Sequence, residues 1–276
     1  MQLDKFDFFL ATDLKLQNIC LGIQGHSCTH CCGYCEAKKP WTQTAKLRTL
    51  GRLRQLSSSF QQLGSPLASA KDFFNAVHPP LFHGPDDTLI LDLIPIPELH
   101  VMLGIVNKIF DGLNLAWGDN QAYDWAYKNN IKRVAYRGGS MNGPGCEDLL
   151  QKLDKLFQDI PSNLRQYYHA LQAFDRVRVS CFGNSLNPNF VKDIQNFRRQ
   201  YEALKIPLIV KGHMIDHVEQ FCQRKGRGLG FYSEQASESV HHDFQKTWQN
   251  YMVNVQNPNF GQQLLKATLK YNSKHV

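Results

Sequence analysis

The sequence predicts an α/β protein whose body is mainly helical, and three stretches carry that prediction. "FDFFLATD" (6–13) is a short apolar run closed by an acid, the pattern of a buried strand delivering Asp13 at its C-terminal end. After Pro97, the residues Leu99, Met102, Leu103, Val106, Phe110 and Leu113 recur at i, i+3, i+4, i+7, i+11 and i+14, one apolar stripe of a long helix. Phe190, Ile194, Phe197, Tyr201 and Leu204 trace a second such face, with Asn187 expected as its N-cap and Pro188 at the first helical position.

The elements between follow in order. Residues 43–75 are polar, with weak helical periodicity, and "HPPLFHGPDD" (78–87) reads as an irregular connector held open by proline and glycine. "RGGSMNGPG" (137–145) is a glycine-rich turn leading into the helix "CEDLLQKLDKLFQDI". It is no phosphate-binding loop, because no Gly-Lys-Ser/Thr closes it. The segment from about 97 to 225 is therefore expected to be mostly helical. "KGHMIDHVEQFC" (211–222) puts His213 and His217 one turn apart on a helix face. In "SEQASESVHHDF", Ser233 is the expected N-cap, with Glu238 on the first turns of the helix.

At 276 residues the chain has room for one large domain or two modest ones. Its hydrophobic share of 42% is ordinary for a globular protein. No apolar run approaches the roughly 20 residues that cross a bilayer. The opening "MQLDKFDFFLATD" reads as neither signal nor transit peptide, so an intracellular chain is the expectation. A net charge of +7, with a tight cluster at "QRKGRG" (223–228), permits binding to nucleic acid without requiring it.

Four of the eight cysteines fall in "HSCTHCCGYCEAKK", as two C-x-x-C pairs back to back, Cys28/Cys31 and Cys32/Cys35. In a reducing compartment such clustering points to metal more than to disulfides. One C-x-x-C supplies two thiolates of a tetrahedral zinc site, and a histidine pair one helical turn apart is its natural complement. His213 and His217 are the candidates, although about 180 residues intervene, far beyond a compact zinc finger. A thiol-redox role fits less well, since the βαβ context of a thioredoxin-like motif is absent. Asp13 and Glu238 stand out as carboxylates that would hold a pair of hard metal ions only if the fold joins the two ends of the chain.

The order and wording of these motifs carry a resemblance. "FFLATDLKLQNICLGIQ", "CGYCEAKK", "PELHVMLGIVNKIFDGLN" and "HMIDHV…GLGFYSEQASESVHHDF" together resemble transposon-derived DDE transposases, the group of Transib elements and the V(D)J recombinase catalytic subunit. The resemblance covers most of the chain. It implies a partial RNase H-like core interrupted by a large, mainly helical, zinc-bound insertion. The parts would be a core strand in 1–20, the insertion with zinc-binding ends in 21–222, and C-terminal core helices in 223–276. It implies that Asp13 and Glu238 are the catalytic carboxylates and ligands of Mg2+ or Mn2+. It implies that Cys32, Cys35, His213 and His217 hold a structural Zn2+, with Cys28 and Cys31 as the alternative thiolate pair. DNA would be the partner and the nucleus the location; a homo-oligomer is left open and no membrane is expected.

Two departures accompany the resemblance. The histidine spacing is one residue shorter than in the recombinase. The first catalytic aspartate has no position upstream of residue 13, so the expectation is a transposase-derived protein, incomplete and inactive alone. The alternative is a non-catalytic, zinc-stabilised DNA-binding or interaction protein.

Overall fold

The computed structural model describes residues 9–25, 27–41, 45–134, 139–233 and 235–273, without the side chains of 235–239 and 241–242. Its described residues are mostly helical, and the one sheet among them is a two-stranded hairpin. The chain separates into two compact units, the first ending at Ser233.

The first unit begins with a departure from the strand expected at 6–13. Residues 9–13 have no regular structure, and Leu10 makes one backbone hydrogen bond, its N–H to the carbonyl of Leu93 at 3.0 Å. Asp13 takes extended φ and ψ of −68° and 165° and starts α1 (Leu14–Cys20). The Leu16 amide donates to the Asp13 carboxylate at 2.7 Å, so Asp13 acts as a helix N-cap. A short apolar run is ambiguous between strand and helix, and here the capping aspartate decides the outcome. The run from 1 to 8 lies outside the described residues.

The cysteine segment follows, then α2 (Leu50–Gln62), capped by the Thr49 hydroxyl, and the short α3 (Ile90–Leu93). Gly22 fixes the entry to the cysteine segment. It sits at φ +68°, and a Cβ there would meet the His78 carbonyl oxygen at 1.9 Å, so only glycine fits.

The helical body forms as its apolar periodicity predicts. In α4 (Glu98–Trp117), Val101, Met102, Ile105, Val106, Ile109, Phe110 and Leu113 are buried, and Pro97 stands at its N-terminus. The buried set is wider than the predicted stripe, because α4 has neighbours on several sides: α5 (Gln121–Lys128), α6 (Gly143–Gln151) and α8 (Arg165–Val177). The hairpin of β1 (Arg133–Val134) and β2 (Ser140–Met141) leads into α6, whose N-cap Asn142 accepts from the Gly145 amide. Helix α7 (Leu153–Asp159) then leads to α8. Phe174 on α8 meets Phe197 on α9 (Phe190–Ala203) with ring centroids 5.3 Å apart. Helix α9 starts later than expected. The Asn187 side chain accepts from the Asn189 amide at 2.9 Å, a local turn that spends the predicted cap two residues before the actual one, Asn189.

After α9 the chain forms α10 (Val210–His213) and α11 (Ile215–Lys225), separated only by Met214, which keeps helical φ and ψ. The second unit contains α12 (Gln235–Trp248) and α13 (Phe260–Asn272). It is held by edge-on ring contacts of Phe244 with Tyr271 and of Trp248 with Phe260, both 5.7 Å. Ser233 adopts extended φ and ψ beyond the turn Leu229–Tyr232. Among the described residues, no helix is long and apolar enough to cross a membrane.

A candidate metal centre

The cysteine segment is a tight knuckle pinned from both sides. Arg48 N–H donates to the Tyr34 carbonyl at 2.8 Å, Glu36 N–H to the Lys46 carbonyl at 3.0 Å, and Lys39 N–H to the Thr29 carbonyl at 3.1 Å. The Tyr34 hydroxyl reaches the Pro95 carbonyl at 3.0 Å. These bonds turn Cys32 and Cys35 inward, where they are 0% and 1% exposed.

Opposite them stand His213, in the last turn of α10, and His217, in the first turn of α11. Because Met214 stays helical, the i, i+4 spacing survives the break and the two rings lie 5.0 Å apart. His213 Nε2 is 3.2 Å from Cys35 Sγ, and His217 Nε2 is 3.4 Å from Cys32 Sγ. All four donor atoms lie within 4.8 Å of one another, and all four residues are buried. Among the described residues this is the one cluster of three or more such donors. It is a buried possible metal site.

The dimensions suit a tetrahedral ion. Zn–S and Zn–N bonds of about 2.3 and 2.0–2.1 Å imply a sulfur-to-nitrogen edge of about 3.5 Å. The measured 3.2 and 3.4 Å lie slightly inside that edge. Two thiolates with two imidazoles in a tetrahedral arrangement select zinc or iron over calcium or magnesium, which take oxygen donors.

The outer shell orients both histidines. His213 Nδ1 faces Asp216 Oδ2 at 3.4 Å and His217 Nδ1 faces Gln220 Oε1 at 3.3 Å. An acceptor at each Nδ1 holds the proton there and leaves Nε2 free as a ligand. Trp41 stacks on His213 at 4.6 Å and 9°, closing that side. The Ala37 amide donates to Cys35 Sγ at 3.4 Å. Burial raises the Cys32 thiol, but the Cys35 side chain, the Tyr34 and Cys35 amides and the Arg48 charge outweigh it, so its pKa falls below the ordinary value. Cys35 is pushed up to about 11, first by its hydrogen bond with Cys32 and then by burial. Metal binding takes both groups as thiolates and so releases whatever protons they carry.

Neither a protein-family model nor a curated protein matches this chain.

The other predicted residues fare differently. Cys28 and Cys31 hydrogen-bond to each other near Lys39, the His30 backbone also bonds to Cys28, and among the described residues neither belongs to a cluster of three or more metal donors. Asp13 is the cap of α1, in the first unit. Glu238 lies on α12, in the second unit, and its side chain is outside the described residues. The basic cluster lies at the surface, with Arg224 and Arg227 exposed, and its cations have partners within the chain. Arg224 grips Asp92 with Nη2 at 2.5 Å and Nε at 3.1 Å, and Lys225 Nζ approaches the same carboxylate at 3.5 Å. Arg227 lies over the Phe231 ring at 4.3 Å.

Sequence reasoning missed Asp216, Gln220, Trp41 and Arg48. The first two had a signal, since each histidine is followed three residues later by an acceptor on the same helix face. Trp41 and Arg48 had none.

Proposed function

We propose that this chain is a transposase-derived DNA-transaction protein whose helical body is clamped by a structural zinc ion on Cys32, Cys35, His213 and His217. The single observation that supports this is the buried quartet, which brings donors 178 and 185 residues apart into one closed site. Four protein donors leave no open position, so zinc there would supply structure and no bond-making chemistry. The order of the motifs, a C-x-x-C before a helical body and a histidine pair before a Glu-bearing helix, is the arrangement the transposase resemblance implies. In that reading Asp13 and Glu238 are the carboxylates for Mg2+ or Mn2+, and nuclear DNA is the substrate.

A second reading, a non-catalytic zinc-stabilised DNA-binding or interaction protein, is favoured by a specific observation. The Asp13 carboxylate is already bonded to the Leu16 amide as a helix cap.

Two measurements test these readings. Purified protein should hold about one zinc per chain, as a closed four-ligand site requires; a metal-free folded chain would sink both. Incubation with duplex DNA and Mn2+ then separates them. Strand cleavage lost in Asp13→Ala and Glu238→Ala supports the catalytic reading, and binding without cleavage supports the second.

A further inference from the structure

Among the described residues Arg48 is the largest fully buried side chain, at 0% exposure, and no carboxylate is bonded to it. Its guanidinium instead gathers backbone carbonyls. Nε donates to the carbonyls of Cys32 at 3.0 Å and Cys35 at 2.9 Å, and Nη2 to those of His30 at 3.1 Å and Phe74 at 2.9 Å. Nη1 is buried without a hydrogen-bond partner. The nearby Glu36 carboxylate is engaged by Arg52 at 2.8 Å. A guanidinium removed from water needs compensating charge and saturated hydrogen bonds. The charges that act on it are those of the knuckle's cysteines, Cys32 and Cys35 first, and of Glu36.

We propose that Arg48 is a positioning residue for the metal centre, tying the carbonyls of Cys32 and Cys35 to one nitrogen so that both sulfurs are set in place before the metal arrives. This rests on the zinc reading above. The planar fork explains why arginine serves here: one rigid group reaches four carbonyls at fixed angles, which a lysine ammonium on a flexible stem cannot reproduce. Both ends of the C-x-x-C turn are bonded to the same atom, so their separation is fixed by the fork.

The test uses the full chain, purified with zinc, as wild type, Arg48→Lys, Arg48→Met and Arg52→Met. Wild-type metal content is read first, and its absence would refute the zinc reading whatever the variants do. Zinc affinity is then measured by competition with a chromophoric chelator, and the thiolate-to-metal charge-transfer band is recorded after Co2+ substitution. Loss of an outer-shell partner typically weakens a metal by about 10–100-fold, the effect expected for Arg48→Met together with an altered cobalt band. Arg48→Lys should fall between Arg48→Met and wild type, and Arg52→Met should match wild type in affinity.

Folded Arg48→Met with wild-type affinity and cobalt spectrum would overturn the proposal, even if its melting temperature fell, because Arg48 would then be a core residue only. If that variant does not fold, Arg48→Lys decides, and wild-type affinity there also overturns it. Failure of both to fold with zinc supplied overturns it too, since Arg48 would then be required by the whole fold.

Discussion

Two C-x-x-C pairs stand side by side in this chain, identical in spacing and opposite in surroundings. Cys32 and Cys35 point into the core at a histidine pair from the far end of the helical body. Cys28 and Cys31 meet each other and Lys39, and Cys28 is only partly buried. The difference teaches that spacing alone supplies a thiol pair, and a remote segment places imidazoles beside it to make a candidate metal site. Cys31 shows the same point from the other side. Its hydrogen bond from Cys28, with Lys39 nearby, outweighs burial and lowers its pKa to about 7, yet among the described residues it joins no cluster of three or more metal donors.

The largest expected effect separates the two pairs directly. Cys32→Ser and His217→Ala should take bound zinc from about one per chain to near zero, with a clear fall in melting temperature, because the binding free energy of a structural zinc is also folding free energy. Cys28→Ser and Cys31→Ser should keep full zinc. Metal analysis and thermal denaturation of the four variants decide the matter, and zinc loss in the second pair would reverse the assignment.

A smaller effect sharpens it. Asp216→Ala removes the acceptor at His213 Nδ1 and should weaken zinc about tenfold, measured by chelator competition. Asp216→Asn keeps an acceptor and should recover most of that loss. Equal affinity in all three proteins would show that the histidine is oriented by Trp41 and packing alone.

The smallest effect lies outside both pairs, at Asp92. Burial acts to raise its carboxyl, but the hydrogen bond and charge of Arg224, with Lys225 behind, hold it below the usual carboxylate value. A depressed folded pKa contributes stability above the unfolded value of about 3.9, and that stability is lost as pH falls through the folded value. Asp92→Asn should therefore cost no more than about 1 kcal/mol at neutral pH, since the pair is partly exposed. The gap between variant and wild type should close below about pH 4 in denaturant titrations. An undiminished gap there would assign the effect to packing.

The legibility of the sequence follows the range of the interactions. Helices α4 and α9 were readable because a 3.6-residue period is written in consecutive residues, Val106 and Phe110 in one, Ile194 and Phe197 in the other. The metal quartet was readable as two local spacings, one in each half of the site. The choice between adjacent thiol pairs came only with the transposase resemblance. The strand expected to end at Asp13 was misread because a cap and a strand end both place an acid after apolar residues, and the hydrogen bond to Leu16 is what distinguishes them. The role of Arg224 was hidden because its partner Asp92 lies 132 residues away. Arg48 was the least visible of all, since nothing local marks an arginine destined for the interior.

The span of the quartet has a consequence for how the protein is made. A ribosome adding about 5–20 residues per second delivers His217 roughly 10–40 s after Cys32. Through most of that interval the thiols exist without the His213/His217 pair, while the intervening helices already have their own neighbours to pack against. Closure of the site is thus a late event of biogenesis, and the nascent thiols spend that time open to oxidants and to competing soft metals.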